Sequence, residues 1–333
     1  MAGSTRRRFL MASAAFTGLT GVGLVAWGRR GLEKVTRTSA ALGAKVNITV
    51  LHADSAHAEA AVAAAFAELA TVEAVMSLYR PDSQLCELNR AGTLANPHPY
   101  LVEVLRQAVA MSEGSQGAFD VTVQPLWRLY SQAAAQGGLP AADDVRLARA
   151  QVDWRQIQIS DEAVRLNGNG TAVTLNGIAQ GFAADRVWQT LHEHGIEHAL
   201  VDAGEMVAHG ANAARDPWRI GIQHPRQADA YIAVADLANR CLATSGDYST
   251  SFDKSFRHNH LLDPRTGYSP TELSSVSILA PTACEADALS TTCFVLGPKA
   301  ALELVQARPA IDAHLVLKNG RVMTTPGFPV IES

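Results

Sequence analysis

Apolar and polar positions alternate from Lys45 to Leu51, the period-two signature of a strand with one face buried. Asp54-Ser55 can cap a helix, and beyond it Val62, Phe66, Leu69, Val72 and Met76 recur at helical spacing. A second helix is expected over residues 97–112, with Leu101, Val104, Leu105, Ala108 and Met111 on one face. Short strand-like runs follow at residues 156–159, 164–166 and 172–175, then a helix over residues 180–194 that ends at Gly195, a suitable C-cap. Further strands are expected at residues 199–202, 218–223, 261–262, 276–279 and 314–317. Lys318-Asn319-Gly320 carries an Asn-Gly hairpin signal that turns the last of these back through Arg321–Thr324. Strands and helices mix without regular βαβ alternation, so the pattern predicts an α+β fold of mixed or antiparallel sheets packed with helices. The Pro/Gly/Ala stretch from Ala133 to Ala142 reads as a loop, too short to establish a domain boundary.

The N-terminus departs from this pattern. Thr5-Arg6-Arg7-Arg8-Phe9-Leu10 precedes an apolar run, Met11 to Ala26, broken by Gly18, Gly21 and Gly23. A basic region before a short apolar segment reads as an export signal, here of the twin-arginine type over residues 1–30. The run is shorter than a comfortable membrane span of about 20 residues, which favours a signal over an anchor; whether the leader is removed or stays as a tether is open. The expected location is therefore the periplasm, free or membrane-anchored. Five of the 28 basic residues lie in this leader, leaving 23 against 32 acidic residues in the body. An acidic body without a basic stripe is a poor platform for nucleic acid, which is held by phosphate neutralisation. The four cysteines, Cys86, Cys241, Cys284 and Cys293, are widely spaced with no C-x-x-C pair, and read as small buried hydrophobes.

The candidate chemistry lies in five separated segments: Met76 to Ser83, Gly117 to Thr122, Asn176 to Gly181, Ala243 to Tyr248 together with His260 to Gly267, and Ala286 to Thr291. Asp287 and Thr291 sit four apart, so a helix projects both from one face. A carboxylate with a hydroxyl suits Mg²⁺, a hard cation that takes few protein oxygens, although such a pair is also an ordinary solvated helix face. Asn176-Gly177-Ile178-Ala179-Gln180-Gly181 enters a helix directly and offers amide N–H groups to phosphate, or is simply a strand-to-helix turn. Tyr79 can stack on a flat ring or close a helix end. Asp120 can accept hydrogen bonds from a ligand or cap the following turn. His260 titrates in the range suited to a general base, but a histidine near a strand is commonly structural. Met76 reads as packing.

In this order the segments resemble the ApbE family of FAD:protein FMN transferases, from about Leu42 to the C-terminus. The resemblance implies a single transferase domain over residues 42–333, with a flavin cleft between lobes. It extends to exported members that serve nitrous-oxide reduction. It implies Mg²⁺ held by Asp287, Thr291 and the Gly177 carbonyl. It implies FAD contacts from Tyr79, Ala118, Phe119, Asp120, Thr174, Gln180 and Leu261, with His260 and Asp263 as orienting or proton-accepting groups; His258, Asn259 and Asp247 stand behind them. Four positions depart from the family, which usually has Asp at Thr174, Lys at Gln180, and Gly-Gly-Asn where this chain has Gly204-Glu205-Met206. Gln180 can hydrogen-bond a pyrophosphate but brings no charge. The implied reaction moves FMN from FAD to a Thr or Ser hydroxyl of an exported or membrane flavoprotein and releases AMP. The sequence leaves open two alternatives: hydrolysis of FAD to FMN and AMP, and non-catalytic FAD binding.

Overall fold

The computed structural model describes residues 31–331; the arginine-bearing leader lies outside the described residues. The chain opens with strands β1 (Glu33–Ala41) and β2 (Ala44–His52), followed by helices α1 (Ser55–Met76) and α2 (Gln84–Ala91). Next come β3 (Thr93–Ala95), α3 (Pro99–Gly114), α4 (Gln124–Ala135), α5 (Ala142–Arg149), β4 (Ile157–Ile159), β5 (Ala163–Leu166) and α6 (Ala179–Glu193). The second half contains β6 (His198–Asp202), β7 (Met206–His209), β8 (Trp218–Gln223), β9 (Tyr231–Leu237), β10 (Arg240–Gly246) and β11 (Leu273–Ala280). It closes with α7 (Ala283–Leu296), α8 (Pro298–Gln306), β12 (Asp312–Leu317), β13 (Val322–Thr324) and β14 (Val330–Ile331). Among the described residues no helix is long and apolar enough to cross a membrane.

An eight-stranded sheet in the order β1-β2-β6-β7-β10-β11-β12-β13 carries the molecule, and every pairing in it is antiparallel. Two three-stranded sheets, β14-β9-β8 and β3-β5-β4, flank it. This is the α+β architecture the pattern predicts. Asp54 caps α1 as expected, its Oδ1 accepting from the amides of Ala56 at 2.9 Å and His57 at 3.1 Å. The Asn-Gly hairpin also forms: Gly320 takes a φ of 83° and the Gly320 N–H donates to the Leu317 carbonyl at 2.9 Å.

The helices nearest the site are tied to each other as well as to the sheet. Helix α6 lies between α1 and α7, and α7 rests on β10 and β11. Asp185 of α6 accepts from the first amides of α7, Ala283 at 2.7 Å and Cys284 at 2.9 Å. These are N–H groups a helix start otherwise leaves without partners. Burial pushes the Asp185 carboxyl up to about 6 despite these donors.

Four expectations need correction. The strands expected at residues 172–175 and 261–262 are extended segments without a ladder; the first makes a single bridge, Ala172 with Val123, and Leu261 bonds through its N–H to the Asn259 side chain. Their apolar side chains are buried by the cleft and core rather than by strand neighbours. The second helix starts at Pro99, capped by His98, and runs on to Gly114. The loop at Ala133–Ala142 is narrower than read, because α4 extends to Ala135 and α5 starts at Ala142. All four cysteines are free, and Cys241, Cys284 and Cys293 are buried as expected.

Candidate functional site

A cleft with a cavity of about 200 Å³ opens where α6, α7, the end of β10 and the loop leading into β11 converge. Its lining includes Ala118, Phe119, Asp120, Thr174, Gly177, Gln180, Glu205, Ser245, His260, Leu261, Asp287 and Thr291. A second hollow of about 440 Å³ adjoins it, sharing Asn176 and Trp127, and Tyr79 lies on its wall. Segments far apart in sequence thus meet around one space, as the family resemblance implies.

Asp287 and Thr291 project from α7 into this cleft, one helical turn apart. Asp287 is buried, and its Oδ2 accepts from the Gly181 amide at 3.0 Å, tying it to the first turn of α6. The Thr291 hydroxyl lies 3.1 Å from Ser245 Oγ, which also bonds Ser290 Oγ at 2.8 Å. Gly177 sits against Thr291 so closely that a Cβ there would come within 3.1 Å of Thr291 Oγ1. The absence of a side chain leaves the backbone of the turn open to the same space as the hydroxyl. A buried carboxylate and a hydroxyl beside the Gly177 backbone offer oxygen donors of the kind a hard divalent cation takes. Among the described residues no three His, Cys, Asp or Glu side chains gather into a metal-holding group. Such a site therefore relies on hydroxyl, backbone and ligand oxygens.

Charge in the cleft runs one way. Asp120, Glu205 and Asp287 line it, and no Lys or Arg does. Burial, the largest effect, pushes the Asp287 and Glu205 carboxyls well above their ordinary range, and Asp287 raises Glu205 further. Burial also raises Asp120, whose acceptors are committed internally: Oδ1 takes the Thr122 amide at 2.8 Å and hydroxyl at 2.6 Å, and Oδ2 the Trp154 amide at 3.1 Å. Asp120 braces the turn that presents Ala118 and Phe119, which is the capping role the sequence allows for it.

His260 faces the cleft with a defined tautomer. Its Nδ1 lies 3.1 Å from the Thr250 carbonyl, which can only accept, so Nδ1 carries the hydrogen. Burial lowers its pKa from 6.5, so the ring is neutral at pH 7 and Nε2 presents a lone pair. The loop bearing it is anchored by Asp247, fully buried and paired with Arg226 Nη1 at 2.7 Å and with Lys318. Asp247 is thus a strut, not a cleft group.

Asp263 does not reach the cavity. Its neighbours Leu262 and Pro264 line the cleft, but both Asp263 oxygens are held by Arg265, Nε and Nη2 each at 2.9 Å. The Asp-Pro-Arg-Thr-Gly turn uses its own carboxylate to fix itself, and a proton-accepting role for Asp263 is not supported. Met76 is buried in the core, as read. Tyr79 is 55% exposed, and its side chain hydrogen-bonds with Asn176. Thr174 is buried, with its hydroxyl 3.3 Å from the Asn176 amide. Sequence reasoning missed Asn176 as the link between Tyr79 and the glycine turn. It also missed Trp127, whose only signal is an aromatic residue two positions after Gln124-Pro125 at a helix start.

A family model described as the ApbE family matches residues 42–315. An FAD:protein FMN transferase of Treponema pallidum is 30% identical over 93% of this chain and 91% of its own length. That of Haemophilus influenzae is 33% identical over 77% of this chain and 78% of its own. Among solved structures, the ApbE protein of Thermotoga maritima superposes with a TM-score of 0.80 at 28% identity, covering 88% of this chain and 97% of that one. The flavin transferase ApbE of Vibrio cholerae gives 0.77 at 26% identity, covering 89% and 98%.

Proposed function

Because the chain belongs to the ApbE family, we propose that it is an FAD:protein FMN transferase, moving FMN from FAD to a Thr or Ser hydroxyl of a partner flavoprotein and releasing AMP. The observation that carries this reading is the meeting of Asp287, Thr291 and Gly177 in one cleft that continues into a hollow walled by Tyr79 and Trp127.

In this reading the Tyr79 ring, held by Asn176, stacks on the isoalloxazine. Asp287, Thr291 and the Gly177 carbonyl would hold Mg²⁺ beside the pyrophosphate. When bound, Mg²⁺ supplies charge neutralisation for the phosphoryl oxygens and the departing AMP. The acceptor hydroxyl attacks the phosphorus on the FMN side, its proton passes to His260 Nε2, and the P–O bond to AMP breaks as the new P–O bond forms. Positioning and electrostatics carry such a transfer, so no nucleophilic residue of this chain is required. The internal bonds of Asp120 fix the turn that presents Phe119, and buried Phe119 and Leu261 give the cleft an apolar wall.

The test is intact-mass spectrometry of a Thr/Ser-bearing acceptor fragment incubated with FAD and Mg²⁺. One FMN moiety gained on the acceptor is expected. Free FMN with an unlabelled acceptor identifies hydrolysis instead, and intact FAD identifies a binding protein. His260 gives a second check. Replacing it with Asn is expected to slow transfer about 10²–10⁴-fold at saturating Mg²⁺. Because burial lowers its pKa, the acid limb of the wild-type rate profile should lie below pH 6.5 and vanish in the variant. A limb retained in His260→Asn removes the residue from proton transfer.

The leader Thr5 to Leu10 supports export, and with it an acceptor in the periplasm or on the membrane facing it. Replacing Arg6 and Arg7 together by Lys is expected to retain the protein in the cytoplasm on cell fractionation. An unchanged periplasmic signal contradicts the twin-arginine route.

A further inference from the structure

Glu205 is a cleft carboxylate that the transferase reading leaves unused. It sits in the tight turn between β6 and β7, where Gly204 takes a φ of 98° and the Ala203 amide donates to the Glu205 carbonyl at 3.1 Å. Its side chain is turned inward onto the cavity that Asp287 and Thr291 line, and the residue is 7% exposed. The protein gives this carboxylate little. Among the described residues Oε2 takes one amide, Thr244 N–H, at 3.3 Å, and no Lys or Arg forms an ion pair with Glu205.

Removing an ionised carboxylate from water costs several kcal/mol unless a positive partner is at hand. Gln180 lines the same cavity, and its amide packs so tightly on Gly204, the residue before Glu205, that a Cβ there would lie 2.5 Å from Nε2. Gln180 carries no charge. FAD brings negative charge of its own, so it deepens the imbalance. The partner Glu205 lacks is a cation from solution, and the donor set already facing that space is the one described around Asp287.

We propose that Glu205 is an additional ligand for the divalent cation of this cleft, so that the cation binds tightly before, and independently of, the flavin dinucleotide. The inference rests on the cation-site reading of Asp287. Two carboxylates, a hydroxyl and a backbone carbonyl form a more complete oxygen set than one carboxylate provides. With three carboxylates and no Lys or Arg lining the cavity, the pyrophosphate enters only after the cation has offset most of the local negative charge.

Mn²⁺ binding to the flavin-free full chain, followed by electron paramagnetic resonance, tests this, with FAD affinity in EDTA followed by calorimetry. Glu205→Gln is expected to weaken Mn²⁺ binding at least about 10-fold and to strengthen FAD binding in EDTA. A structural role would weaken both. Glu205→Gly, which restores a bare backbone at this turn, should shift both affinities in the same directions as Glu205→Gln and serves if the Gln variant folds poorly. Wild-type Mn²⁺ affinity in Glu205→Gln with loss in Asp287→Asn overturns the proposal and leaves the cation site standing. Unchanged affinity in both variants overturns the site as well, and a fall in both Mn²⁺ and FAD affinity overturns the ligand role of Glu205.

Discussion

Asp287→Asn is expected to lower flavin transfer by about 10³-fold or more, the loss of about 4 kcal/mol of electrostatic stabilisation, while the protein remains folded. The two effects separate because the residue's functional and structural demands differ. Its structural bond is one accepted hydrogen bond, from the Gly181 amide at 3.0 Å, which an Asn Oδ1 can also accept. Its charge, by contrast, is costly to the empty protein, since burial pushes the carboxyl upward and Glu205 stands nearby. Neutralising it should leave the melting temperature in EDTA at pH 8 equal to or above that of the wild type. Thermal unfolding paired with single-turnover transfer measures both. A variant that transfers within tenfold of the wild-type rate would place Asp287 outside the reaction. A variant that fails to fold would assign it to the scaffold.

Gly181→Ala is expected to damage the scaffold and the reaction together. A Cβ at this position would lie 2.2 Å from the Ala283 carbonyl oxygen and 2.8 Å from Asp287 Cβ. Neither neighbour is the loose end of a side chain. The first is the backbone at the start of α7, which Asp185 already clamps through the amides of Ala283 and Cys284. Helices α6 and α7 would have to part, and overpacking of this kind costs about 3 kcal/mol. The same movement draws Asp287 from Gly181 N–H and from Gly177, and misplacement on the order of 1 Å costs about 10² in rate. Urea unfolding midpoints and turnover should therefore fall in parallel. Stability within about 0.5 kcal/mol of wild type, a span ordinary for surface substitutions, would show that the helices yield without cost.

These two residues illustrate what the sequence makes legible. The spacing of Asp287 and Thr291 is enough to put both on one face of a helix. The glycine turn at Asn176–Gly181 is recognisable as a helix entry, and Asp54 and Asn319-Gly320 announce their cap and hairpin locally. Long-range geometry is not legible in this way. Strand β1 escaped notice because it is an edge strand whose residues, Val35 apart, are mostly exposed, so no alternation marks it. Helix α7 is buried nearly all round, so its apolar pattern does not tell which side faces the cleft. Asp263 looked chemical because it is an acid in a cleft segment; only the position of Arg265, two residues away, shows that its charge is spent on its own turn. Glu205 is legible as a departure only through the family resemblance, which implies a bare glycine there. Its meaning depends on Gln180, Thr244 and Asp287, which no spacing along the chain brings together.

The claim on which the account rests is a divalent cation gripped by Asp287, Thr291 and the Gly177 carbonyl. Anomalous diffraction from crystals grown with Mn²⁺ and an ADP-bearing FAD fragment locates the ion directly. The account predicts one strong peak within coordination distance of those three groups, with Glu205 turned toward it. A peak elsewhere, or a cleft that holds the nucleotide with no ion beside Asp287, contradicts it.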